Sequence, residues 1–313
     1  MRDALPGLLD DKPPIPNAGE SLERVAEFSR LTANKFGGAW TTEKLSVLSK
    51  YLAFYTKALL AQPAPEKPFR LVYIDAFAGT GRCHVKTLEG SQATVPGSAS
   101  IALATSPGFA WYHFVEPKAK HLRELHQLVA GHPLRDRISI HEGTAEDALP
   151  GILGAHDWRT HRGVLFLDPF GLQCSWPTLQ QVQGTKALDV FFLLSVSGLF
   201  RQAAIDASGI DSAKAAALTR VFGEDAWRTE WYTREQQDMF ADPLITRDRG
   251  WEQIVGYSTR RLRSLFPEVL EPRLLRNRTG PPLFALYLAV SNPSPTAISL
   301  ARKAGKHVLS KLG

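Results

Sequence analysis

Residues 73–83 read "YIDAFAGTGRC": an apolar run reaches Asp75, then Gly79 and Gly81 with one residue between them. Three kinds of phosphate- or nucleotide-binding turn have this look. A Walker A loop requires Gly-x-x-x-x-Gly-Lys-Ser/Thr; here Lys86-Thr87 is preceded by Val85, with no glycine where the loop must turn. A nicotinamide dinucleotide site requires a third glycine so that the helix can pack against the strand. Counted from Gly79 and Gly81 that position is His84, which is far too bulky.

The third kind fits. In S-adenosylmethionine (SAM) methyltransferases the first strand ends in an acid followed by a glycine-bearing turn. Asp75 is that acid, able to hold the cationic amine end of SAM. Gly79 and Gly81 admit the cofactor without a Cβ in the way, and Phe77 shapes the loop. A merely structural glycine turn has the same local pattern, so the decision passes to the strands that follow.

Five apolar runs succeed one another: "RLVYIDAF", "WYHFVEP", "RISIHEG", "GVLFLDP" and "LDVFFLLSVS". They are nearly continuous, as strands buried on both faces should be. They alternate with helical pieces such as "PKAKHLRELHQLVAGHP", which argues for a doubly wound parallel sheet. Ahead of them Leu45, Leu48, Leu52, Tyr55 and Leu59 predict a helix over 41–61. "VLEPRLLRNRTG" and "PPLFALYLAVS" read as two more strands, and a last helix is expected over 295–311. Residues 199–266 carry helical signals and no strand signal. The expected fold is therefore a Rossmann-like class I methyltransferase core. Its mostly parallel seven-stranded sheet ends in an antiparallel hairpin and carries a helical insertion. The expected divisions are a partly disordered lead-in over 1–39, the core over 40–198 and 267–313, and the insertion over 199–266.

Strand ends supply the candidate chemistry. Glu116 closes the second run, where a carboxylate can accept two hydrogen bonds from a ribose diol. In the third, Thr144 stands where many SAM enzymes have an aspartate for the adenine amino group. Thr144 and the Ala145 backbone are expected to border the adenine, with Glu142, Glu146 or Asp147 as alternative acceptors. The fourth run ends in Asp168-Pro169-Phe170-Gly171. A carboxylate and a proline-flanked carbonyl can accept from an exocyclic amine and aim its lone pair at the methyl group, while the ring stacks on the base. Cys174 lies too far beyond Pro169 to be a cytosine-directed nucleophile and reads as apolar filler. The polar stretch 82–96 is either a lid or a surface loop.

Composition sets outer bounds. The chain has 313 residues, 44% hydrophobic and 22% charged, values of a soluble globular protein. No apolar run is long enough to cross a bilayer. The start has no basic-then-apolar signal, and the two cysteines fit a reducing compartment, so a cytoplasmic location is expected. The nine histidines read as scattered and locally satisfied, and no metal site is expected. Net charge of +6 favours a polyanionic partner. Arg260, Arg261, Arg263, Arg273, Arg276 and Arg278 form a basic run able to track phosphates. Trp227, Trp231 and Tyr232 read as a local core.

With these residues in view, the chain resembles the three-Cys-motif partner (TcmP) proteins. The likeness spans about residues 40–290 and rests on "WTTEKLSVLSKYLAFY", "YIDAFAGTG", "GSASIALA", "FVEP", "LDPFGLQCSWPTL" and "LLSVSGLFR" in that order. Gly79-Thr80-Gly81 departs from the family's frequent Gly-Pro-Gly, and Ala99 stands where its Gly-Ser-Pro has proline. The resemblance implies a methyltransferase-like fold and a separate radical-SAM-type partner bearing three cysteines. The combined expectation is SAM-dependent methylation of an exocyclic amine of a nucleobase in DNA or RNA. A non-catalytic SAM- or nucleic-acid-binding accessory subunit, or a small-molecule methyltransferase, stays open beside it.

Overall fold

The structure, a computed structural model, describes residues 39–60, 62–64, 67–86, 92–235, 244–247, 250–276 and 280–310. Helix α1 spans Ala39–Leu59. Leu45, Leu48, Leu52 and Tyr55, three or four residues apart, are all buried along it. The sheet strands follow: β1 (Arg70–Asp75), a hairpin of β2 (Arg82–Lys86) and β3 (Gln92–Pro96), β4 (Trp111–Glu116), β5 (Ile138–Glu142), β6 (His161–Leu167) and β7 (Leu188–Ser195). Between them run α2 (Ser98–Ala104), α3 (Ala119–Ala130), α4 (Ala145–Gly154) and α5 (Trp176–Gly184). Then come α6 (Val196–Gln202), α7 (Ser212–Phe222), α8 (Trp227–Trp231), a hairpin of β8 (Tyr232–Glu235) and β9 (Leu244–Arg247), and α9 (Trp251–Leu265). The described chain closes with β10 (Glu268–Val269), β11 (Arg273–Arg276), β12 (Pro282–Val290) and α10 (Pro295–Ser310).

The main sheet runs β5-β4-β1-β6-β7-β12, with β10 and β11 both pairing the outer edge of β12. The five strands from β5 to β7 are parallel, and β12 is antiparallel to β7. This is the Rossmann-like core of a methyltransferase fold, and it includes the expected terminal hairpin. The last rank is split into β10 and β11, with Pro272 between them contributing no N–H to a ladder. The chain leaves β1 towards β4 and β5, then crosses back to β6 on the other side. The order therefore reverses at β1, and ligands bind outside the carboxyl ends of strands at such a point.

Two apolar layers cover the sheet. Leu71, Tyr73, Phe114, Val164 and Phe166 meet α1, α2, α3 and α10 on one face. Val72, Ile74, Val115, Leu165 and Leu167 meet α4, α5, α7, α8 and α9 on the other. Trp227 and Trp231 are fully buried, and Trp231 lies 5.4 Å from Tyr257 and 5.6 Å from Phe222 between ring centroids. They form a local core, as expected.

Three expectations change. Residues 199–266 include the β8–β9 hairpin, not helices alone; each strand has only four residues, too few for its alternation to stand out among the arginines. Residues 82–96 contain the β2–β3 hairpin, whose tip, 87–91, lies outside the described residues. The third run, β5, is the sheet's edge among the described residues and is half-exposed, because no described strand pairs its outer side.

The basic run is internally engaged. Arg260 pairs with Glu230, Arg261 with Glu224, Arg263 with Glu271 and Arg273 with Glu43. Arg276 donates to the Gly280 carbonyl at 3.2 Å and lies over Trp251. Arg278 lies outside the described residues.

Gly163 sits where β6 passes β1. A Cβ there would lie 2.6 Å from the Val72 carbonyl oxygen and 2.8 Å from Leu188 Cδ2. Two central strands cannot move apart without losing their ladder, so Gly163→Ala should cost about 3 kcal/mol. The measurement is the urea midpoint, and an unchanged midpoint would contradict this packing.

Candidate functional site

Asp75 ends β1 and is completely buried. Its Oδ1 accepts the Phe77 N–H at 3.2 Å, while Oδ2 has no hydrogen-bond partner. Burial raises its carboxyl to about 7; Ser98 and the Phe77 N–H oppose this, Asp168 adds to it, and Lys44 opposes it. A buried half-satisfied acid is costly on its own, and a bound cation would relieve that cost.

The turn beyond has φ of +59° at Gly79 and +74° at Gly81, the left-handed region that favours glycine. A Cβ on Gly79 would meet nothing within 4 Å, so this side is open to a ligand. Gly81 is packed inward. Its carbonyl accepts the Gly97 N–H at 2.9 Å and the Ser100 hydroxyl at 2.6 Å, and a Cβ on Gly97 would lie 2.8 Å from Gly81 C. The close helix approach that His84 cannot give is thus supplied by Gly97, beyond the β2–β3 hairpin. Position-by-position motif matching misses it because the hairpin interrupts the spacing.

Glu116 ends β4, next to β1, and is buried. Its Oε1 accepts the Lys118 N–H at 2.9 Å and lies 3.2 Å from His121 Nδ1. Both contacts fall on Oε1, which leaves Oε2 to a ligand hydroxyl. Thr144 caps α4: its hydroxyl donates to Asp147 Oδ2 at 2.6 Å and accepts the Asp147 N–H at 3.3 Å. Ala145 is buried in the layer beneath α4. Among the alternative acceptors, Glu146 pairs with Arg220 at 3.0 Å and Asp147 serves the cap. Glu142, opposite Glu116 in register, makes no ion pair among the described residues.

On the other side of β1, Asp168 follows the end of β6. Pro169 is buried, but Phe170 is 80% exposed. The Phe170 ring has Lys118 Nζ 5.0 Å from its centroid. Lys118 belongs to the β4 tip, so this contact spans the tip of β1. Glu116, Asp75 and Asp168 thus stand at the carboxyl ends of three neighbouring strands, on the edge where the exposed Phe170 ring lies. Cys174 is buried with its thiol pushed up to about 12 by that burial, as suits apolar filler. A cavity of about 650 Å³ lies elsewhere, between the β10–β11 segment and α10.

One site residue was not foreseen. Lys44 of α1 is buried and ion-paired through Nζ to Asp168 Oδ2. It shares the helical stripe of Leu48, Tyr51 and Tyr55, all buried. A lysine on an otherwise apolar stripe was the available signal.

No protein-family model and no curated protein matches the chain. Among solved structures the chain is similar to a protein from Legionella pneumophila, with 12% identity, covering 85% of this chain and 92% of that one, and a TM-score of 0.44. It is also similar to a methyltransferase from Geobacter sulfurreducens, with 13% identity, 76% and 88% coverage, and a TM-score of 0.30. A third is the glycopeptide N-methyltransferase MtfA complexed with S-adenosyl-L-homocysteine, with 12% identity, 77% and 89% coverage, and a TM-score of 0.32. The strand order, not these distant likenesses, defines the fold. Among the described residues no helix is long and apolar enough to cross a membrane, and no group of three or more His, Cys, Asp or Glu could hold a metal ion.

Proposed function

We propose that the protein is a SAM-dependent methyltransferase acting on an exocyclic amine of a nucleobase in DNA or RNA, together with a three-cysteine radical-SAM-type partner. One observation carries the reading: carboxylates stand at the ends of three adjacent parallel strands, β4, β1 and β6, under the exposed Phe170. The residues fit SAM, because the orphaned Oδ2 of buried Asp75 lacks a cation and Gly79 leaves its surface open. When bound, SAM supplies an electrophilic methyl group. Asp75 holds the amine end and Glu116 Oε2 receives the ribose diol, with Phe77 and the Gly79–Gly81 turn flanking the cofactor. Thr144 and Ala145 border the adenine. Asp168 and the Pro169 carbonyl accept N–H hydrogens of the acceptor amine, which orients its lone pair. After transfer Asp168 takes the proton that the methylated nitrogen loses. Phe170 stacks on the base.

A second reading has its own support. Four of the arginines that would track phosphates are neutralised by Glu230, Glu224, Glu271 and Glu43, which favours a small-molecule amine acceptor. A labelled-methyl assay on mixed DNA and RNA, on a small-molecule extract, and with and without the three-cysteine protein separates the two. Binding of SAM with no transfer in any mixture would leave only an accessory role.

SAM binding is pH-dependent in a stated direction. Asp75, with a carboxyl at about 7, must lose its proton to hold an ammonium group. Affinity should rise about fivefold between pH 6 and pH 7, with proton release on binding at the lower pH, and level off near pH 8 as the ligand's own α-ammonium loses its proton. Glu116→Ala should weaken binding about ten- to a hundredfold. Calorimetry in buffers of differing ionisation enthalpy measures both, and a pH-independent affinity would remove Asp75 from the amine site.

A further inference from the structure

Lys44 is expensive where it is. Its side chain is 7% exposed, against 25% for Asp168, and taking an ammonium ion out of water costs several kcal/mol. Replacing both members of a buried ion pair by apolar groups is often neutral or stabilising, so stability alone does not account for the pair. The pair needs another reason, and its surroundings give one. Asp168 is faced by Asp75 and Tyr73 from β1, by Cys83 from β2 and by Lys44 from α1. The Tyr73 hydroxyl and Asp75 Oδ2 have no hydrogen-bond partner. Of these groups only Lys44 is a cation. It is itself held in place, with Nζ 5.1 Å from the centroid of the Trp40 ring.

We propose that Lys44 is a positioning residue for methyl transfer: it sets its cation against Asp168 and pins Oδ2, leaving Oδ1 as the acceptor for the substrate amine. This rests on the methyltransferase reading above. A protonated Asp168 would donate where it must accept, and an unpinned one would rotate out of line. Two carboxylates sharing a poorly hydrated crevice cannot both stay charged easily without a cation between them. The N-terminal half of α1 is therefore part of the active site, although it lies outside every sheet-edge motif.

The test uses the full-length protein and the variants Lys44→Met and Lys44→Arg, with Asp168→Asn to assign the carboxyl carbon of residue 168. In Lys44→Met the NMR titration of that carbon should move up by about one pH unit, with melting temperature lowered because Asp168 loses its partner. The acid limb of the methyl-transfer pH profile should move with it, so that kcat falls several-fold more at acid pH than at pH 7, while KM for SAM holds. Lys44→Arg, which keeps the cation, should restore the wild-type titration. An unshifted titration in Lys44→Met, an equal shift in Lys44→Arg, or a loss of kcat uniform across pH would each overturn the assignment. If Lys44→Met does not fold, an upward shift in Lys44→Arg alone overturns it and an unshifted titration with a wild-type pH profile supports it. The NMR readout needs no turnover. A wild type that never transfers methyl would thus sink the proposed function while the titration still judges Lys44.

Discussion

Asp168→Ala should lower methyl transfer by about a hundred- to a thousandfold and leave SAM affinity within a factor of a few. The split follows from the placement of the carboxylates. In the proposed site Asp75 and Glu116, on β1 and β4, hold the cofactor, whereas Asp168 lies on the other side of β1, just after β6. Removing it takes away the acceptor that orients the amine and receives its proton, both needed chiefly in the transition state. It also strands Lys44 as a buried cation without its partner, so some loss of stability is expected and a melting curve must accompany the assay. Asp168→Asn keeps the shape but offers an amide in place of a carboxylate, and should fall nearly as far. Full activity in both variants would remove Asp168 from the reaction.

Acid should destabilise the protein through a second group, inside the sheet on β4. His113 of β4 is hydrogen-bonded on both ring nitrogens, to His141 Nε2 at 3.0 Å and to His156 Nε2 at 2.8 Å. Three of the histidines expected to be scattered and locally satisfied, His113, His141 and His156, are satisfied by one another. Burial, with the positive charge of His156 and His141 adding to it, lowers His113 from 6.5 to about 3. A folded-state value below the unfolded one means that the unfolded chain binds the proton first. The stability is fully present above pH 6.5 and drains as pH falls from there towards 3. The slope is about 1.4 kcal/mol per pH unit, or roughly 3 kcal/mol by pH 4.5. His141 and His156 are lowered by burial as well and act in the same direction. Carboxylates titrate in part of this window, so the decisive quantity is the difference between wild type and His113→Asn in urea unfolding from pH 7 to 4.5. Equal slopes in the two proteins would assign the acid sensitivity elsewhere.

Much of the sheet could be read from the chain because a strand buried on both faces leaves an unmistakable apolar run. "RLVYID", "GVLFLD" and "LDVFFLLS" announce β1, β6 and β7, and the first two runs close on acids, Asp75 and Asp168, at the carboxyl ends of their strands. The weaker elements escaped. The β8–β9 strands did so because they are short and charged; β5 is legible as a strand, but not as a half-exposed edge. Thr144 illustrates a different limit, since the sequence could not tell a cap from an adenine contact. The arginines illustrate another, since their carboxylate partners come from other elements.

The sequence by itself determined the alternation of strands and helices, the glycine-bearing turn after Asp75, and the carboxylates Glu116 and Asp168 at strand ends, because these depend on local order and periodicity. Tertiary structure alone decided that Lys44 meets Asp168 across 124 positions, that Gly97 packs on Gly81, and that three histidines bond to one another. Those contacts depend on which helix covers which face of the sheet, and that is fixed by packing of the whole core, not by any neighbourhood of the chain.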